Sequence, residues 1–289
     1  MKIIVLIPVY NDWKSVFKLL DEINNLSLDN DFQLSILIVN DASNFDRQEI
    51  EKSFKNINSI KILNMKKNVG HTRCIATGLK YIFEKDQFDY VIPMDGDGED
   101  RPQEIKDFLE KIKVYNEKTI VGERVKRSES MTFKICYQLH KIITFIFTGK
   151  SIKYGNYTCL PKSTVEKLLK EKATWNSFSG SLKKVENDLI PIPSKRGLRY
   201  FGPSQMSFTN LIKHSLSIIS VFRKTFLIRS GLFIIIYILI IKSNASIITS
   251  IPLIVLLIAV YSVSNLSLRE NMNEFDKALS NINNINKIK

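Results

Sequence analysis

The densest group of residues that could do chemistry is an acidic run, Asp95-Gly96-Asp97-Gly98-Glu99-Asp100, with four carboxylates in six positions. Carboxylate oxygens suit the hard cations Mg²⁺ and Mn²⁺, which can bridge a protein to a diphosphate. A calcium loop is excluded, because it needs Gly at its sixth position and Glu at its twelfth, and counting from Asp95 these are Asp100 and Lys106. The run therefore predicts a site that holds a diphosphate through a divalent cation.

Two common nucleotide-binding motifs are missing from the sequence. No G-x-G-x-x-G follows the first apolar run, and no G-x-x-x-x-G-K-[ST] occurs anywhere in the chain. Binding of a nucleotide through a glycine-rich loop is therefore disfavoured relative to binding through a metal.

The acidic run follows one of four short apolar segments that alternate with segments of helical spacing. The apolar segments cover residues 3–8, 34–40, 60–64 and 90–94, and the helical ones include residues 13–25 and 72–84. This alternation predicts an α/β fold with a parallel sheet, which binds ligands beyond the carboxyl ends of its strands. The polar residues at those ends are Tyr10, Asn11, Asp12, Asp41, Asp95 and Asp97. Asp and Asn are also common turn and capping residues, but their collection at one edge favours a site.

The composition excludes several classes of protein. With 289 residues, 44% of them hydrophobic, the chain can bury a full core and is not disordered. Its three cysteines, Cys74, Cys136 and Cys159, form no C-x-x-C pair, which disfavours a structural zinc site and a secreted disulfide framework. The formal charge of +13 indicates an anionic partner.

The positive charge is concentrated just before the most apolar part of the chain. Residues 195–229 contain seven Lys or Arg and no Asp or Glu. Two apolar stretches follow, residues 231–241 and residues 245–266, and the first can be extended back to Phe226 past Arg229. A helix that spans a membrane needs about 20 residues. The pattern predicts a transmembrane helical hairpin with both ends in the cytoplasm. A buried hairpin of a soluble protein is the alternative, and nucleic-acid binding is disfavoured because the basic segment runs into a span.

Four motifs in the first part of the chain together resemble family 2 glycosyltransferases of the GT-A fold. They are Ile7-Pro8-Val9-Tyr10-Asn11-Asp12, Val39-Asn40-Asp41-Ala42-Ser43, Asn68-Val69-Gly70 with Ala76 and Gly78, and Met94-Asp95-Gly96-Asp97. Two later motifs are similar to the branch that contains dolichyl-phosphate mannose synthase and bacterial polyprenyl-phosphate glycosyltransferases. These are Gly122-Glu123-Arg124-Val125-Lys126-Arg127 and Arg199-Tyr200-Phe201-Gly202-Pro203-Ser204-Gln205.

The resemblance covers roughly residues 1–225 and implies a division of the chain. We expect a GT-A, Rossmann-like nucleotide-sugar-binding domain with a mainly parallel sheet at residues 1–205. An interfacial amphipathic helix at 206–225, two transmembrane helices at 226–268 and a cytoplasmic polar tail at 269–289 are expected to follow. Residues 131–147 and 208–222 have apolar side chains at helical spacing, and each is either an interfacial helix or part of the core.

The activity implied by the resemblance is an inverting, metal-dependent transfer of a sugar from a nucleotide-diphospho-sugar to a polyprenyl phosphate. Mg²⁺ or Mn²⁺ is the expected cofactor, and the expected location is the cytoplasmic face of the cell membrane, held by a multi-pass anchor. The lipid bilayer is thus an expected partner, whereas nucleic acid is not, and a homo-oligomer is left open.

The donor site of the family carries over to matching positions of this sequence. The residues that would bind the nucleotide sugar are Pro8, Tyr10, Asp12, Asp41, Gly70, Arg73 and Asp95. Among them, Asp41 would bond the base, Arg73 would face the diphosphate and Asp95 would contact the ribose or the sugar.

The metal would be held by Asp97 and Glu99. Glu99 stands where the family usually has Gln, and it is either a ligand or a surface residue. His71 and Cys74 have metal-ligand chemistry but no partners at usable spacing, and they are interpreted as loop and packing residues.

The acceptor phosphate would be held by cations, because a phosphate monoester is already ionised and needs no base. By resemblance its ligands are Arg124, Arg127, Arg199 and Ser204. The catalytic residues would be Asp95, Asp97, Arg124 and Arg199.

Two other functions stay open at this point. Transfer to a hydroxyl of a lipid-linked glycan would need a carboxylate base, for which Glu186 and Asp188 are the candidates, although their surroundings are typical of a solvated turn. A catalytically silent nucleotide-binding membrane adaptor is the second alternative, which the intact Asp95 and Asp97 disfavour.

Overall fold

The computed structural model describes residues 1–44, 54–126, 131–203 and 207–289. The strands are β1 (Lys2–Val9), β2 (Gln33–Asn40), β3 (Ser59–Met65), β4 (Tyr90–Pro93), β5 (Thr119–Lys126), β6 (Tyr154–Pro161), β7 (Leu189–Lys195) and β8 (Ile282–Lys287). The α-helices are α1 (Trp13–Asn24), α2 (His71–Lys85), α3 (Glu104–Val114), α4 (Met131–Thr148), α5 (Lys162–Lys170), α6 (Phe178–Val185), α7 (Phe208–Ser220), α8 (Arg223–Ile241), α9 (Ile247–Ser267) and α10 (Met272–Asp276). Short 3₁₀ helices cover Lys172–Trp175 and Ala278–Asn281.

The strands form one mixed sheet in the order β7-β5-β6-β4-β1-β2-β3-β8. β3, β2, β1 and β4 run parallel, as predicted, and β5 is parallel to β7. β6 is antiparallel to β4 and β5, and β8 is antiparallel to β3. Val9 lies beside Asn40 and Leu6 beside Pro93, so the carboxyl ends of β1, β2 and β4 meet at one edge.

Helices cover both faces of this sheet, which explains why β1 is apolar at every position from Ile3 to Val9 rather than at alternate ones. Successive side chains point to opposite faces, so Val5 and Ile7 join a core with Leu19 of α1 and Phe108 of α3. Leu6, between them, joins a second core on the other face with helices α2 and α5. The sheet is therefore held between two packed layers.

The C-terminal segment departs from the prediction of a polar tail at residues 269–289. Its strand β8 extends the sheet, and the side-chain amides of Asn40, Asn64 and Asn284 form a chain of hydrogen bonds of 2.9 and 2.6 Å across β2, β3 and β8. In α10, Phe275 stacks on Trp175 with ring centroids 5.4 Å apart. The segment was missed because its Ile and Asn residues follow no strand period, and pairing with β3 determines its conformation.

Phe275→Ala is expected to lower the free energy of unfolding by about 3–5 kcal/mol, because the side chain is 1% exposed and its loss leaves a cavity against Trp175. Ile285→Ala, in β8 but 44% exposed, is the control and should change stability by well under half of that. Thermal or denaturant unfolding in detergent, followed through tryptophan signals, would measure both. Equal stability of Phe275→Ala and the parent chain would show that the segment is a separate tail.

Two of the described helices, α8 and α9, are long and apolar enough to cross a membrane. They pack against each other and against α7 around Ile219, Phe226 and Val263, while most of their other apolar side chains are exposed. The two predicted apolar helices are therefore present.

Arg229 lies within the first of these helices. Its Nη1 donates to the carbonyl oxygens of Ile146 at 2.7 Å and Phe145 at 3.3 Å, at the C-terminal end of α4. Both belong to the last turn of α4, where carbonyls commonly lack a partner within the helix, although the Phe145 carbonyl also accepts from Gly149 N at 2.8 Å. Arg229 thus joins α4 to α8, and α4 still exposes apolar side chains such as Ile142 and Phe145. Core packing therefore does not account for that face of α4.

Candidate active site

The candidate site lies where the carboxyl ends of β1, β2 and β4 meet. The loops that leave β1 and β2 are joined there, because Asn11 N donates to Ser43 Oγ at 2.9 Å and Asn44 N donates to Asn11 Oδ1 at 2.8 Å. In this geometry Asn11 has a φ of +54°, a left-handed conformation that Asn tolerates better than most residues. The sheet edge is therefore a connected rim rather than a set of independent turns.

The acidic loop, residues 95–100, follows β4 and is folded by its own carboxylates. Asp100 Oδ2 accepts a hydrogen bond from Asp95 N at 2.9 Å, and Asp97 Oδ1 accepts one from Glu99 N at 3.0 Å. Gly98 has a φ of +89°, and a Cβ there would lie 2.6 Å from the ring of Tyr200. Glycine is therefore required at this position both for its backbone conformation and for the close approach of Tyr200.

Residues 196–200, which we call the basic strap, lie across this loop. Tyr200 N donates to the carbonyl oxygen of Asp97 at 2.9 Å, and Gly197 N donates to that of Glu99 at 2.8 Å. Arg196 pairs with the Glu99 carboxylate. The strap is thus held to the acidic loop by both backbone and charge.

Arg199 in the strap bridges two carboxylates that follow different strands. Its Nη1 donates to Asp97 Oδ2 at 2.6 Å and its Nη2 donates to Asp12 Oδ2 at 2.8 Å. Asp12 precedes α1 but makes no capping hydrogen bond with its side chain, so its interpretation as a plain capping residue is wrong. Arg199 was predicted to bind the acceptor phosphate; here it pairs with these two carboxylates, and its contact with a phosphate stays a prediction.

The fit of a divalent cation follows from these pairings. Within residues 1–44, 54–126, 131–203 and 207–289, no three His, Cys, Asp or Glu side chains are arranged to hold a metal ion. Mg²⁺ in phosphate-transfer sites commonly takes one or two carboxylates and completes its shell with water and phosphate oxygens. Asp97 and Glu99 fit that pattern chemically. To bind the cation, Asp97 would release Arg199 and Glu99 would release Arg196.

The carboxylates of the acidic loop differ in their affinity for protons. Burial, and then the charge of Asp95, raises the pKa of Asp97 to about 6 and that of Asp100 to about 8. Burial also disfavours the charged form of Asp95, but His71 and Arg196 outweigh it and lower the pKa of Asp95 below its ordinary value. The neighbours of Asp95 therefore keep this carboxylate ionised.

His71, for which the sequence predicts a loop or packing role, instead contacts Asp95. Its Nε2 lies 3.2 Å from Asp95 Oδ1 and 2.9 Å from Asn156 Nδ2, which in turn lies 3.4 Å from the same carboxylate oxygen. The contact of His71 with Asp95 could have been suspected from the sequence, because His71 directly follows Gly70 at the start of α2. Asn156 had no signal in the sequence, because it arrives on β6, the antiparallel neighbour of β4.

Arg73 does not face this site, and the prediction that it meets the diphosphate is corrected. Two residues along a helix correspond to a rotation of about 200°, so Arg73 points away from the side on which His71 meets Asp95. Its guanidinium carbon lies 5.0 Å from the ring centroid of Trp175, and Nη2 lies 3.3 Å from Glu274 Oε2. Arg73 therefore joins α2 to the C-terminal segment.

Asp41 is buried and uses both carboxylate oxygens on the backbone. Oδ1 accepts from Val69 N at 2.7 Å and Oδ2 accepts from Gly70 N at 2.9 Å, where Gly70 has a φ of +92°. Asp41 thus fixes the turn that begins α2, and its contact with a base stays a prediction. Pro8 is buried within β1, whereas Tyr10 is exposed on the rim.

The remaining predicted residues fall in three places. Arg124 lies at the end of β5, and its positive charge acts to lower the pKa of Asp95. Gly155 makes room for the guanidinium of Arg124, since a Cβ at Gly155 would lie 2.6 Å from Nη2 of that arginine.

Arg127 and Ser204 lie outside the described residues. Glu186 and Asp188 precede β7, at the end opposite the strap, and pair with Lys167 at 2.9 Å and Lys118 at 2.6 Å.

Comparisons with known proteins agree with this architecture. The sequence model of the family described as Glycosyl transferase family 2 matches residues 4–177. The chain is 25% identical over 218 residues to an undecaprenyl-phosphate 4-deoxy-4-formamido-L-arabinose transferase of Klebsiella pneumoniae (strain 342), covering 73% of this chain and 64% of that protein. The chain spans between about half and two-thirds of the length of the curated relatives it matches.

Two solved structures share the fold at low identity. Glucosyl-3-phosphoglycerate synthase from Mycobacterium tuberculosis, in complex with Mn²⁺, UDP-glucose and phosphoglyceric acid, has a TM-score of 0.55 at 11% identity, over 78% of this chain and 79% of that one. A mannosyltransferase from Pyrobaculum calidifontis, in complex with GDP-Man and Mn²⁺, has a TM-score of 0.52 at 12% identity, over 96% and 86%.

Proposed function

The chain belongs to glycosyl transferase family 2, and from this premise we propose that it transfers a sugar from a nucleotide-diphospho-sugar to a polyprenyl phosphate at the cytoplasmic face of a membrane. The observation that carries the proposal is the basic strap. It joins the donor-side carboxylates Asp12 and Asp97 and leads within a few residues into α7, which packs on the two apolar helices.

The donor would lie along the rim formed by β1, β2 and β4. Asp95, which its neighbours keep ionised, can accept hydrogen bonds from a ribose or sugar hydroxyl, and Tyr10 offers an exposed ring after β1 on the same edge of the sheet. The Mycobacterium and Pyrobaculum structures contain nucleotide sugars, and the shared fold supports the same class of donor here.

A divalent cation would be held by Asp97 and Glu99 together with diphosphate oxygens. When bound, it would stabilise the negative charge that develops on the leaving nucleoside diphosphate. The Mn²⁺ in both solved relatives supports a metal requirement.

The basic strap would then supply the cations for the acceptor. Loss of Asp97 as a partner releases Nη1 of Arg199, and a guanidinium fork suits a phosphate. Nε of Arg199 is buried without a hydrogen-bond partner among the described residues, so its present pairing leaves one donor unsatisfied. Arg124 adds a second positive charge that acts on Asp95.

The chemical step needs no base from the protein. An acceptor phosphate oxygen attacks the anomeric carbon, the bond from that carbon to the diphosphate oxygen breaks, and the configuration inverts. The phosphate is already ionised, so no proton has to be removed. The position of Glu186 and Asp188 at the far end of β7 supports this class of acceptor over a hydroxyl.

The membrane would place the acceptor near the strap. α8 and α9 are the candidate spans, and the apolar face of α4, joined to α8 through Arg229, would lie against lipid. Arg223 and Lys224, at the start of α8, would mark the cytoplasmic side.

The proposal is tested with membranes that contain the full chain, a panel of labelled nucleotide sugars, polyprenyl phosphate, and Mg²⁺ or Mn²⁺. We expect a labelled, acid-labile product in the organic phase, which is absent without the cation. Asp97→Asn membranes are the control. Label that appears only in a lipid-linked glycan, through an acid-stable bond, would indicate a hydroxyl acceptor, and binding of donor without any turnover would indicate an adaptor.

A further inference from the structure

Asp95 is held at one carboxylate oxygen by two side chains from separate elements. His71 Nε2 lies 3.2 Å from Asp95 Oδ1, and Asn156 Nδ2 lies 3.4 Å from the same atom. None of these contacts involves the second oxygen, Oδ2. His71 comes from α2 and Asn156 from β6, so the sheet and a helix both fix the carboxylate.

Packing does not explain why His71 lies here. Its side chain is 47% exposed, so little apolar burial is gained. It is also the first residue of a helix, where the helix dipole disfavours a positive charge. The contact with Asp95 therefore outweighs the unfavourable effect of the helix dipole and accounts for the position of His71.

The pairing between His71 and Asn156 supplies a donor to Asp95 in either protonation state of the ring. With Nε2 protonated, the imidazole itself donates to Asp95. With Nε2 unprotonated, Asn156 Nδ2 donates both to the ring at 2.9 Å and to Asp95. Oδ1 of Asp95 thus keeps a donor in both arrangements.

We propose that His71 and Asn156 are positioning residues that hold Asp95 Oδ1 and thereby aim Oδ2 at a ribose hydroxyl of the donor. This inference rests on the proposed function, because it takes the ligand to be a nucleoside diphosphate. The ribose keeps its contacts throughout the transfer, so the pair contributes equally to the ground state and the transition state. Changes in His71 should therefore raise KM for the donor and leave kcat nearly unchanged.

Binding of UDP, GDP, CDP and ADP to the full chain in detergent, measured by calorimetry, identifies the nucleotide that binds most tightly. Its 2′-deoxy and 3′-deoxy forms are then compared on the parent chain and on His71→Ala, His71→Gln and Asn156→Ala. His214→Ala, in α7, is the matched control for loss of a histidine. Thermal unfolding of each variant shows whether the fold is retained.

We expect His71→Ala to weaken binding of the ribonucleotide roughly ten- to 150-fold, the range for a hydrogen bond to a charged group. His71→Gln, which can still donate, should recover most of that loss. For the deoxy form that lacks the hydroxyl bound by Asp95, His71→Ala should cause less than a two-fold change.

Equal losses for the ribose and deoxyribose forms would overturn the inference, because His71 would then act on another part of the nucleotide. Unchanged binding in both His71→Ala and Asn156→Ala would also overturn it. If the parent chain binds none of the four nucleotides, the proposed function fails first and this inference fails with it. A loss confined to the ribose forms supports both.

Discussion

Asp97→Asn is expected to lower the rate of sugar transfer by about a thousandfold or more. The substitution removes one of the two carboxylates available to a divalent cation, and a metal that stabilises a leaving diphosphate contributes several kcal/mol to the transition state. Asp97 lies in the loop after β4, and an asparagine can still accept a hydrogen bond from Arg199. The fold should therefore be retained, with a small change in thermal stability.

Two measurements separate this cause from a general loss of structure. Mn²⁺ binding in the presence of nucleoside diphosphate, followed by electron paramagnetic resonance, should weaken in Asp97→Asn together with activity. Asp188→Asn removes a carboxylate that pairs with Lys118 before β7, and it should leave both properties intact. Activity of Asp97→Asn close to that of the parent chain would refute the assignment of Asp97 as a metal ligand.

Arg199→Ala is expected to reduce turnover at saturating donor by roughly thirty- to a thousandfold, which corresponds to about 2–4 kcal/mol. The guanidinium now bridges Asp12 and Asp97, and in the proposed reaction it is free to hold the acceptor phosphate once a cation occupies Asp97. Arg199→Lys keeps the charge but cannot form both contacts at once, so it should restore only part of the rate.

The comparison variant carries Glu186→Gln and Asp188→Asn together. These carboxylates pair with lysines away from the strap, and a phosphate nucleophile needs no base, so the double variant should change the rate only a few-fold. Initial rates with labelled donor and polyprenyl phosphate measure all three variants. A collapse of activity in the double variant, with tolerance at Arg199, would instead identify a hydroxyl acceptor activated by a carboxylate.

Prediction from sequence succeeded where a residue's environment depends on its immediate neighbours. β1 to β4 are runs of β-branched and apolar residues, and both α8 and α9 exceed the length of an ordinary buried helix. The acidic loop was found for a similar reason, because its carboxylates directly follow a strand that must end at the edge of a parallel sheet.

It failed where long-range pairing sets the geometry. Arg199 meets Asp97 and Asp12 across 102 and 187 residues of chain, so no local pattern shows that it bridges them. Arg73 was wrongly placed because the rotation of α2 about its axis is set by contacts with Trp175 and the C-terminal segment. For both arginines the sequence shows which kind of interaction the side chain can make, but it does not show which residue the side chain meets.

The strand β8 has a consequence for the way in which the protein is made. Asn284 hydrogen-bonds to Asn64 across 220 residues, and the two apolar helices α8 and α9 lie between them in the chain. At about 5–20 residues per second, a ribosome takes roughly 10 to 45 s to make that stretch. During this time the outer edge of β3 is without its partner and is open to pairing with other chains. The apolar helices emerge first, so in the proposed membrane-bound enzyme the nascent chain would meet the bilayer before its sheet can be completed.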